Sequence, residues 1–336
     1  MPRKSKKIRT KLDVNRPSQT AQEEQAKYEK VLPKPRHPVG WDKTLILDGH
    51  NLAYAAYYAY SNLSYKGKSV SVIFGMPQMV KSLLLELVPK KLVICWDGKK
   101  HPKRLELLPT YKSHREKNRD PQKRELFLKQ INTVQKLFYR LGVPQAYNDA
   151  IEGDDMIYMV TKKERLTHKV QIVTSDKDFV QLIDFDTSLY HPLKRIPSST
   201  FAFSAHYGVD IPQYVDLLCL LGDHSDDIPG IKGIGPVKAM NFLNQYYTIK
   251  DYLNDDDAYF PGLGDKKTLR KQIWRNRRLI DLALFHRKYN KKAKITYIRD
   301  RQFPSYNPEK YTQLCTKYNL KTLMTETFLK PFLKLQ

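Results

Sequence analysis

The stretch Thr44-Leu45-Ile46-Leu47-Asp48-Gly49 is an apolar run that stops on an acid and a glycine. It reads as a short strand buried on both faces, with a loop at its carboxyl end. The same signature returns twice. Leu92-Val93-Ile94-Cys95-Trp96 ends on Asp97-Gly98, and Val170-Gln171-Ile172-Val173-Thr174 leads to Asp176. Helical periodicity occupies the intervals, at roughly 70–88, 122–141 and 154–165. Strand alternating with helix predicts an α/β fold around a twisted, mainly parallel sheet with right-handed crossovers. Sheets of this kind gather their chemistry at the carboxyl ends of the strands, where these aspartates stand.

Outward from this core the texture changes in both directions. Residues 1–42 are expected to form a basic, disordered tail: the first eleven carry six cations and no acid, and prolines at 17, 33, 35 and 38 interrupt any helix longer than a short one near 22–31. The α/β domain is expected over 43–205. From 206 to 336 helical patterns dominate, at roughly 212–222, 236–246, 266–285 and 308–320, which predicts a second, helical domain. The whole chain of 336 residues is 41% hydrophobic, enough for a sizeable core, and its 59 Lys and Arg against 35 Asp and Glu leave a formal charge of +24. That excess calls for a polyanionic partner. No apolar run reaches the ~18 residues of a membrane helix, so no membrane role is expected. Three scattered cysteines form no metal motif and fit a reducing, cytoplasmic compartment.

Five segments supply acids at predicted strand ends or helix starts: Asp48; Asp97; Glu152, Asp154 and Asp155; Asp176 and Asp178; Asp223 and Asp226. Singly, each could be a helix cap or turn residue. Together, on one crevice of a parallel sheet, they would repel one another unless divalent cations shared them. Mg²⁺ or Mn²⁺ suits an all-oxygen donor set, and the lack of a His or Cys cluster disfavours zinc. Two such ions can activate water against a phosphodiester. An acidic metal site inside a strongly basic protein therefore reads as a nuclease.

Two further segments fit that reading. Residues 99–124 hold ten cations and three acids directly after Asp97, with Tyr111 among them, a mixture suited to phosphates and stacked bases. Within it Lys100 reads as an edge cation that serves affinity alone. Gly233-Ile234-Gly235, flanked by Lys232 and Lys238, joins two predicted helices and offers a backbone that a phosphate can approach closely. Tyr57, Tyr58 and Tyr60 read mainly as core residues.

With these parts assembled, the chain resembles the 5′-nuclease superfamily: flap endonucleases, the 5′→3′ exonuclease domains of bacterial polymerases, and phage 5′ exonucleases. The motifs that carry the resemblance are LILDG (45–49), VICWDG (93–98), LPTYKSHR (108–115), IEGDD (151–155), TSDKDFVQL (174–182) and GDHSDDIPGIKGIG (222–235). It implies a PIN-like sheet with a helical arch at about 99–125 and a helix–three-turn–helix module. It implies structure-specific, metal-dependent 5′→3′ exonuclease or flap endonuclease activity in replication, with all nine acids above as metal-site residues and Lys112, Arg115, Asp154 and Asp176 as catalytic. Tyr111, Lys112, Arg115, Lys232, Gly233, Gly235 and Lys238 become DNA contacts. The implied cofactors are two Mg²⁺ or Mn²⁺, with K⁺ at the Gly233–Gly235 hairpin. The implied partner is DNA with a 5′ flap, nick or free 5′ end, or an RNA–DNA hybrid, in a bacterial or phage-infected cytoplasm.

The sequence departs from the family pattern at three places. Ala55 stands where an Arg is common, Asp227 replaces an Asn and adds charge near the second metal, and Val237-Lys238 replaces a Lys-Thr pair. The chief rival is a catalytically weak DNA-binding accessory protein, which the complete acid set argues against. A small-domain RNA nuclease would lack the glycine hairpin, and a haloacid-like phosphatase would want an early DxD pair that Asp48-Gly49-His50 does not provide.

Overall fold

The computed structural model describes residues 42–114, 120–193, 208–298 and 304–335, with 196–198 as backbone. The expected tail, its short helix at 22–31, and Arg115 lie outside the described residues. In chain order the first part comprises β1 (Lys43–Asp48), α1 (Gly49–Ala59), a small hairpin of β2 (Ser64–Tyr65) and β3 (Lys68–Ser69), α2 (Ser71–Leu87), β4 (Lys91–Cys95), α3 (Pro102–Leu107), α4 (Pro121–Arg140), β5 (Gln145–Ala146), α5 (Gly153–Glu164), β6 (Lys169–Val173), β7 (Thr187–His191) and β8 (Ile196–Ser198). One six-stranded sheet has the order β5-β4-β1-β6-β7-β8. All its pairings are parallel except β7 with β8.

Alternation along β1 explains why the strand is apolar throughout. Leu45 and Leu47 enter one buried layer with α1, α2 and α4, whereas Ile46 enters the other with α5. Neither face meets water, so neither can carry polar residues. The register then sets the site. Leu47 lies opposite both Ile94 of β4 and Val173 of β6, so the three strands finish level. β1 is also where the strand order reverses direction, which opens a crevice beyond its carboxyl end.

After α6 (Tyr214–Leu221) come the two-residue strands β9 (Gly222–Asp223) and β10 (Ile228–Pro229), then α7 (Pro236–Tyr246), α8 (Ile249–Asn254), α9 (Lys266–Ile280) and α10 (Leu282–Tyr289). The expected helix at 266–285 is two helices. Asp281 adopts an extended backbone, and its carboxylate caps the Leu284 N–H, starting a new helix where the old one ends. The second half shares the apolar layer of α5, with Leu217, Phe242 and Leu269 continuous with Ile157 and Val160.

The expectation of one helical domain over 206–336 does not hold at its end. Tyr147 N donates to Thr296 O, bringing the chain back to the sheet edge beside β5. α11 (Pro308–Lys317) and α12 (Glu326–Leu333) then pack on α4 and α2. Tyr311, Leu314, Phe328 and Phe332 are buried in the same layer as Leu83, Leu84 and Phe138. An apolar stripe on the outer α/β helices needs this cover. Among the described residues no helix is long and apolar enough to cross a membrane, and all three cysteines are buried and free.

Candidate metal and nucleic-acid site

Each acid of the crevice is positioned by the turn that ends its strand. Asp48 caps α1: its Oδ1 accepts from Asn51 N at 3.0 Å and its Oδ2 from Thr174 Oγ1 at 3.1 Å, across two neighbouring strands. Asp97 Oδ1 accepts from Gly153 N at 2.6 Å, which ties the end of β4 to the start of α5. A Cβ at Gly153 would crowd Asp97 at 3.3 Å, so the glycine allows this approach. Asp176 Oδ1 accepts from Asp178 N, and Asp223 Oδ1 from Ser225 N. These are ordinary capping bonds. What sets the acids apart is that they share one place.

Their electrostatics follow from crowding. Burial, then the neighbouring Asp154 and Asp176, push the Asp48 carboxyl up to about 7. Asp97 at the rim and Asp176 inside both rise to about 6, first through loss of water and then through Asp154. Asp178 is pushed well above the carboxylate range by burial and by Asp176, Asp223 and Asp226. Its Oδ1 is buried with no hydrogen-bond partner. Asp178, Asp223 and Asp226 each offer an oxygen within 4.8 Å of the others. This all-oxygen set fits a hard divalent cation, and the orphaned Asp178 oxygen is the kind of atom such an ion satisfies.

Lys112 stands between the two halves of the acid set. Its Nζ lies 2.9 Å from Glu152 Oε2, 3.5 Å from Asp154 Oδ2 and 3.4 Å from Asp226 Oδ2. Burial alone would lower its pKa. Asp154, Tyr111, Glu152 and Asp226 outweigh that and hold it well above the ordinary lysine value. The backbone at Lys112 is left-handed, φ +52°, and is held there by its N–H bond to Asp226 O at 3.0 Å. A non-glycine residue in that region is strained, and strain persists where the surroundings impose it.

Three residues expected to contact metal or nucleic acid are engaged within the chain. Tyr111 is 2% exposed and its hydroxyl donates to Glu152 Oε2, so here it packs as part of the site's core. Asp155 is fully buried, and both its oxygens accept from Arg104, at 2.6 and 3.0 Å. Lys100 donates to the carbonyls of Tyr111 and Lys112, at 3.3 and 3.1 Å, and so helps hold the strained turn. The basic run after Asp97 thus turns Arg104 and Lys112 inward while Lys99, Lys103 and 120–124 stay exposed; its expected arch includes 115–119, outside the described residues.

Arg104 is the residue that charge counting missed. It is 1% exposed, bonds Glu152 Oε1 at 2.9 Å as well as Asp155, and lies 3.8 Å from the centre of the Phe285 ring. Arg104 and Lys112 together overcome the effect of burial on Glu152 and hold it at about 2. A sequence signal was present in the apolar Leu107-Leu108 and Tyr111 beside it, which bury this segment although α3 itself ends at Leu107. Asp227 likewise has a local role. Its carboxylate accepts from His114 N at 2.9 Å and Ser113 Oγ at 3.3 Å and pairs with His114 Nδ1 at 2.8 Å. It ties the 113–114 turn to the β9–β10 loop.

The glycine hairpin is built differently. Ile231 and Ile234 are buried, while Lys232, Gly233, Gly235 and Lys238 are exposed. Gly233 has φ +84°, which demands glycine. Gly235 has φ −95°, and a Cβ there would meet no atom within 4 Å. Among the described residues nothing requires Gly235 to be glycine. It opens α7, whose first residue is Pro236, leaving free N–H groups at an exposed helix start. Of the tyrosines after Asp48, Tyr57 packs on Phe127 and Tyr60 on Phe74, whereas Tyr58 is exposed.

Comparison with known proteins places this geometry. Residues 43–208 match the family model described as the 5′-3′ exonuclease N-terminal resolvase-like domain, and residues 209–296 the 5′-3′ exonuclease C-terminal SAM fold. A 5′-3′ exonuclease of Aquifex aeolicus is 32% identical over 220 residues, which cover 65% of this chain and 74% of that protein. DNA polymerase I of Mycobacterium bovis is 30% identical over 248 residues, 71% of this chain and 27% of the polymerase. The chain thus spans about a quarter of the length of that relative. The D15 protein of T5, co-crystallised with metal ions, has a similar fold, with a TM-score of 0.62 at 19% identity over 87% of this chain and 98% of that one. The catalytic core of Rad2 in complex with a DNA substrate gives 0.52 at 17% identity, over 87% and 93%.

Proposed function

The chain belongs to the 5′-3′ exonuclease family, and from that premise we propose that it hydrolyses phosphodiesters near the 5′ ends of DNA, as a 5′→3′ exonuclease and flap endonuclease acting in replication. The observation that carries this reading is the gathering of Asp48, Asp97, Asp154, Asp176, Asp178, Asp223 and Asp226 in one crevice, with the buried Lys112 ammonium against Asp154 and Asp226. We assign Asp48, Asp97, Glu152, Asp154 and Asp176 to one Mg²⁺ or Mn²⁺, and Asp178, Asp223 and Asp226 to a second. When bound, these ions would supply water of lowered pKa and offset charge on the phosphate.

The chain's own groups do the rest. Lys112 would place an ammonium where negative charge builds on the phosphoryl oxygens, stabilising the transition state more than the ground state. Arg104 keeps Glu152 ionised and fixed, and so acts as a positioning residue. The hairpin of Lys232, Gly233, Gly235 and Lys238 would hold one strand of the duplex through backbone N–H groups and ammonium contacts, with Arg115 joining from the basic run. Its exposed main chain is also where the K⁺ ion would bind. An RNA–DNA hybrid would enter the same way, because phosphates and not base edges are gripped. As to domains, the sheet layer would carry the chemistry and 209–296 the grip, with 304–335 serving the sheet layer.

The test is digestion of 5′-labelled flap, nicked, blunt and RNA-primed duplexes with Mg²⁺, Mn²⁺ or EDTA. Release of short products from the 5′ end, abolished by EDTA, is expected. Products from the 3′ end, or turnover in EDTA, would overturn the assignment.

A further inference from the structure

A second charged surface lies on α9, at the edge of the basic run. α9 buries Leu269, Ile273, Asn276, Leu279 and Ile280 on one side. On the other, Lys267, Lys271, Trp274 and Arg278 follow at spacings of four, three and four, a single helical stripe. Arg270 and Arg275 flank it. These residues line a groove of about 580 Å³ whose opposite wall is Glu106 and Leu107 of α3. Five cations thus face one acid, and Glu106 is already paired with Lys103 at 2.6 Å. Among the described residues none of the five cations is ion-paired.

Trp274 decides what such a groove is for. Its indole is 49% exposed on a polar helix, in the midst of the cations. Arg278 lies over its ring at 5.5 Å. An aromatic platform among unpaired cations is the arrangement that binds unpaired bases and their phosphates together. Duplex DNA presents no base faces, and an acidic peptide would not use the indole plane. The position adds direction. α3 packs on α9 and runs on, through Leu108, to Tyr111 and Lys112 at the acid crevice. A strand lying in the groove would therefore lead toward the metal-binding acids.

We propose that the α9 groove binds single-stranded nucleic acid, namely the 5′ arm that a flap substrate carries beyond its duplex, with Trp274 stacking on a base and Lys267, Lys271 and Arg278 meeting phosphates. This rests on the flap-cleaving reading above, and the experiment separates the two. In EDTA, binding of the full chain to a short oligo-dT, to inorganic polyphosphate and to a blunt duplex is measured for the wild type, Trp274→Ala and Lys271→Ala. Trp274 and Lys271 are exposed, so both variants should fold, which circular dichroism checks.

Trp274→Ala should weaken oligo-dT roughly tenfold while leaving polyphosphate and blunt duplex within twofold. Lys271→Ala should flatten the salt dependence of oligo-dT binding by about 0.7 in slope. Cleavage with Mg²⁺ should then fall for a long-flap substrate and be unchanged for a one-nucleotide flap. Equal losses on polyphosphate would reduce the groove to bare charge, and equal losses on blunt duplex would make it a duplex site; either overturns the proposal, as does unchanged oligo-dT binding. If no substrate is cleaved yet oligo-dT binding depends on Trp274, the hydrolytic reading fails and the single-strand site stands.

Discussion

The acid crevice and the glycine hairpin lie in one chain and are proposed to meet one substrate, but they are built in opposite ways. In the crevice the central groups are held several times over. Lys112 faces three carboxylates, Glu152 takes four donors, and Arg104 is buried between two acids and an aromatic ring. In the hairpin two isoleucines fix the turn, and the residues facing outward touch little of their own chain. The crevice stores charge in advance of a reaction. The hairpin leaves room for something to arrive. Losses in the first should therefore appear in rate and stability, and losses in the second in affinity.

The largest effect should come from the acids. Asp176→Ala or Asp154→Ala should lower single-turnover cleavage in Mg²⁺ by roughly 10³-fold or more, with duplex affinity in EDTA nearly unchanged. Comparable loss of affinity would erase the contrast between the two regions. Arg104→Met comes next. It leaves Asp155 buried without its cation and Glu152 with Lys112 as its remaining cation, which costs about 3–5 kcal/mol and should appear as a much lower unfolding midpoint in denaturant. Arg104→Lys should recover part of it. Little change in stability would mean that Arg104 does not hold the crevice together.

Lys112→Ala sharpens the comparison, because the residue lies in the basic run yet belongs to the crevice. Its single-turnover rate should fall on the order of 10²–10³-fold with small change in affinity. Lys100→Ala should act in the same direction more weakly, since it holds the carbonyls of Tyr111 and Lys112. If either variant changed only affinity and its salt slope, the run would be a surface patch after all.

These assignments show what the sequence could and could not carry. The strands were legible because burial on both faces forces an unbroken apolar run, and their ends because Asp-Gly marks the turn. The predicted helices at 70–88, 122–141 and 154–165 lie within two residues of α2, α4 and α5. Convergence of Asp48, Asp97 and Asp176 followed from parallel topology. What stayed hidden was pairing. Whether a cation in 99–114 faces water or a carboxylate some 40–50 residues later depends on tertiary packing, so Arg104 and Tyr111 were read as surface when they are core. The return of 304–335 to α2 and α4 was hidden for the same reason, because a helical stripe does not name its partner.

Proton linkage probes the crevice with a smaller effect. Asp48 at about 7 and Asp97 and Asp176 at about 6 all lie above the usual aspartate value. Between pH 4 and 7 the folded state therefore binds more protons than the unfolded one, and this contribution to stability is lost as pH rises. In EDTA the unfolding temperature should fall from pH 5 to pH 8. Asp48→Asn removes the largest of these shifts and should flatten the slope, and Mg²⁺ should stabilise the wild type more at pH 8 than at pH 5. Identical slopes for the two proteins would mean that Asp48 is not strained by its neighbours.

The smallest effect separates the two glycines of the hairpin. Gly233 has φ +84°, so alanine there costs roughly 1 kcal/mol of folding stability whatever binds outside. Gly235 has no such need: its backbone is extended, and an added Cβ would meet open space. Gly235→Ala should therefore leave the unfolding midpoint within about 0.5 kcal/mol of wild type. Its methyl group would still project where a phosphate backbone must approach the first N–H groups of α7, so duplex affinity should drop several-fold. Cleavage at saturating enzyme should hardly change. The pair thus tests two explanations of one motif, conformational demand at Gly233 and room for a partner at Gly235. If Gly235→Ala binds duplex as wild type does, the glycine serves no approach, and the grip must lie with Lys232 and Lys238. If it destabilises the fold instead, the hairpin is internally constrained like the crevice, and the contrast between the two regions fails at the point where it is sharpest.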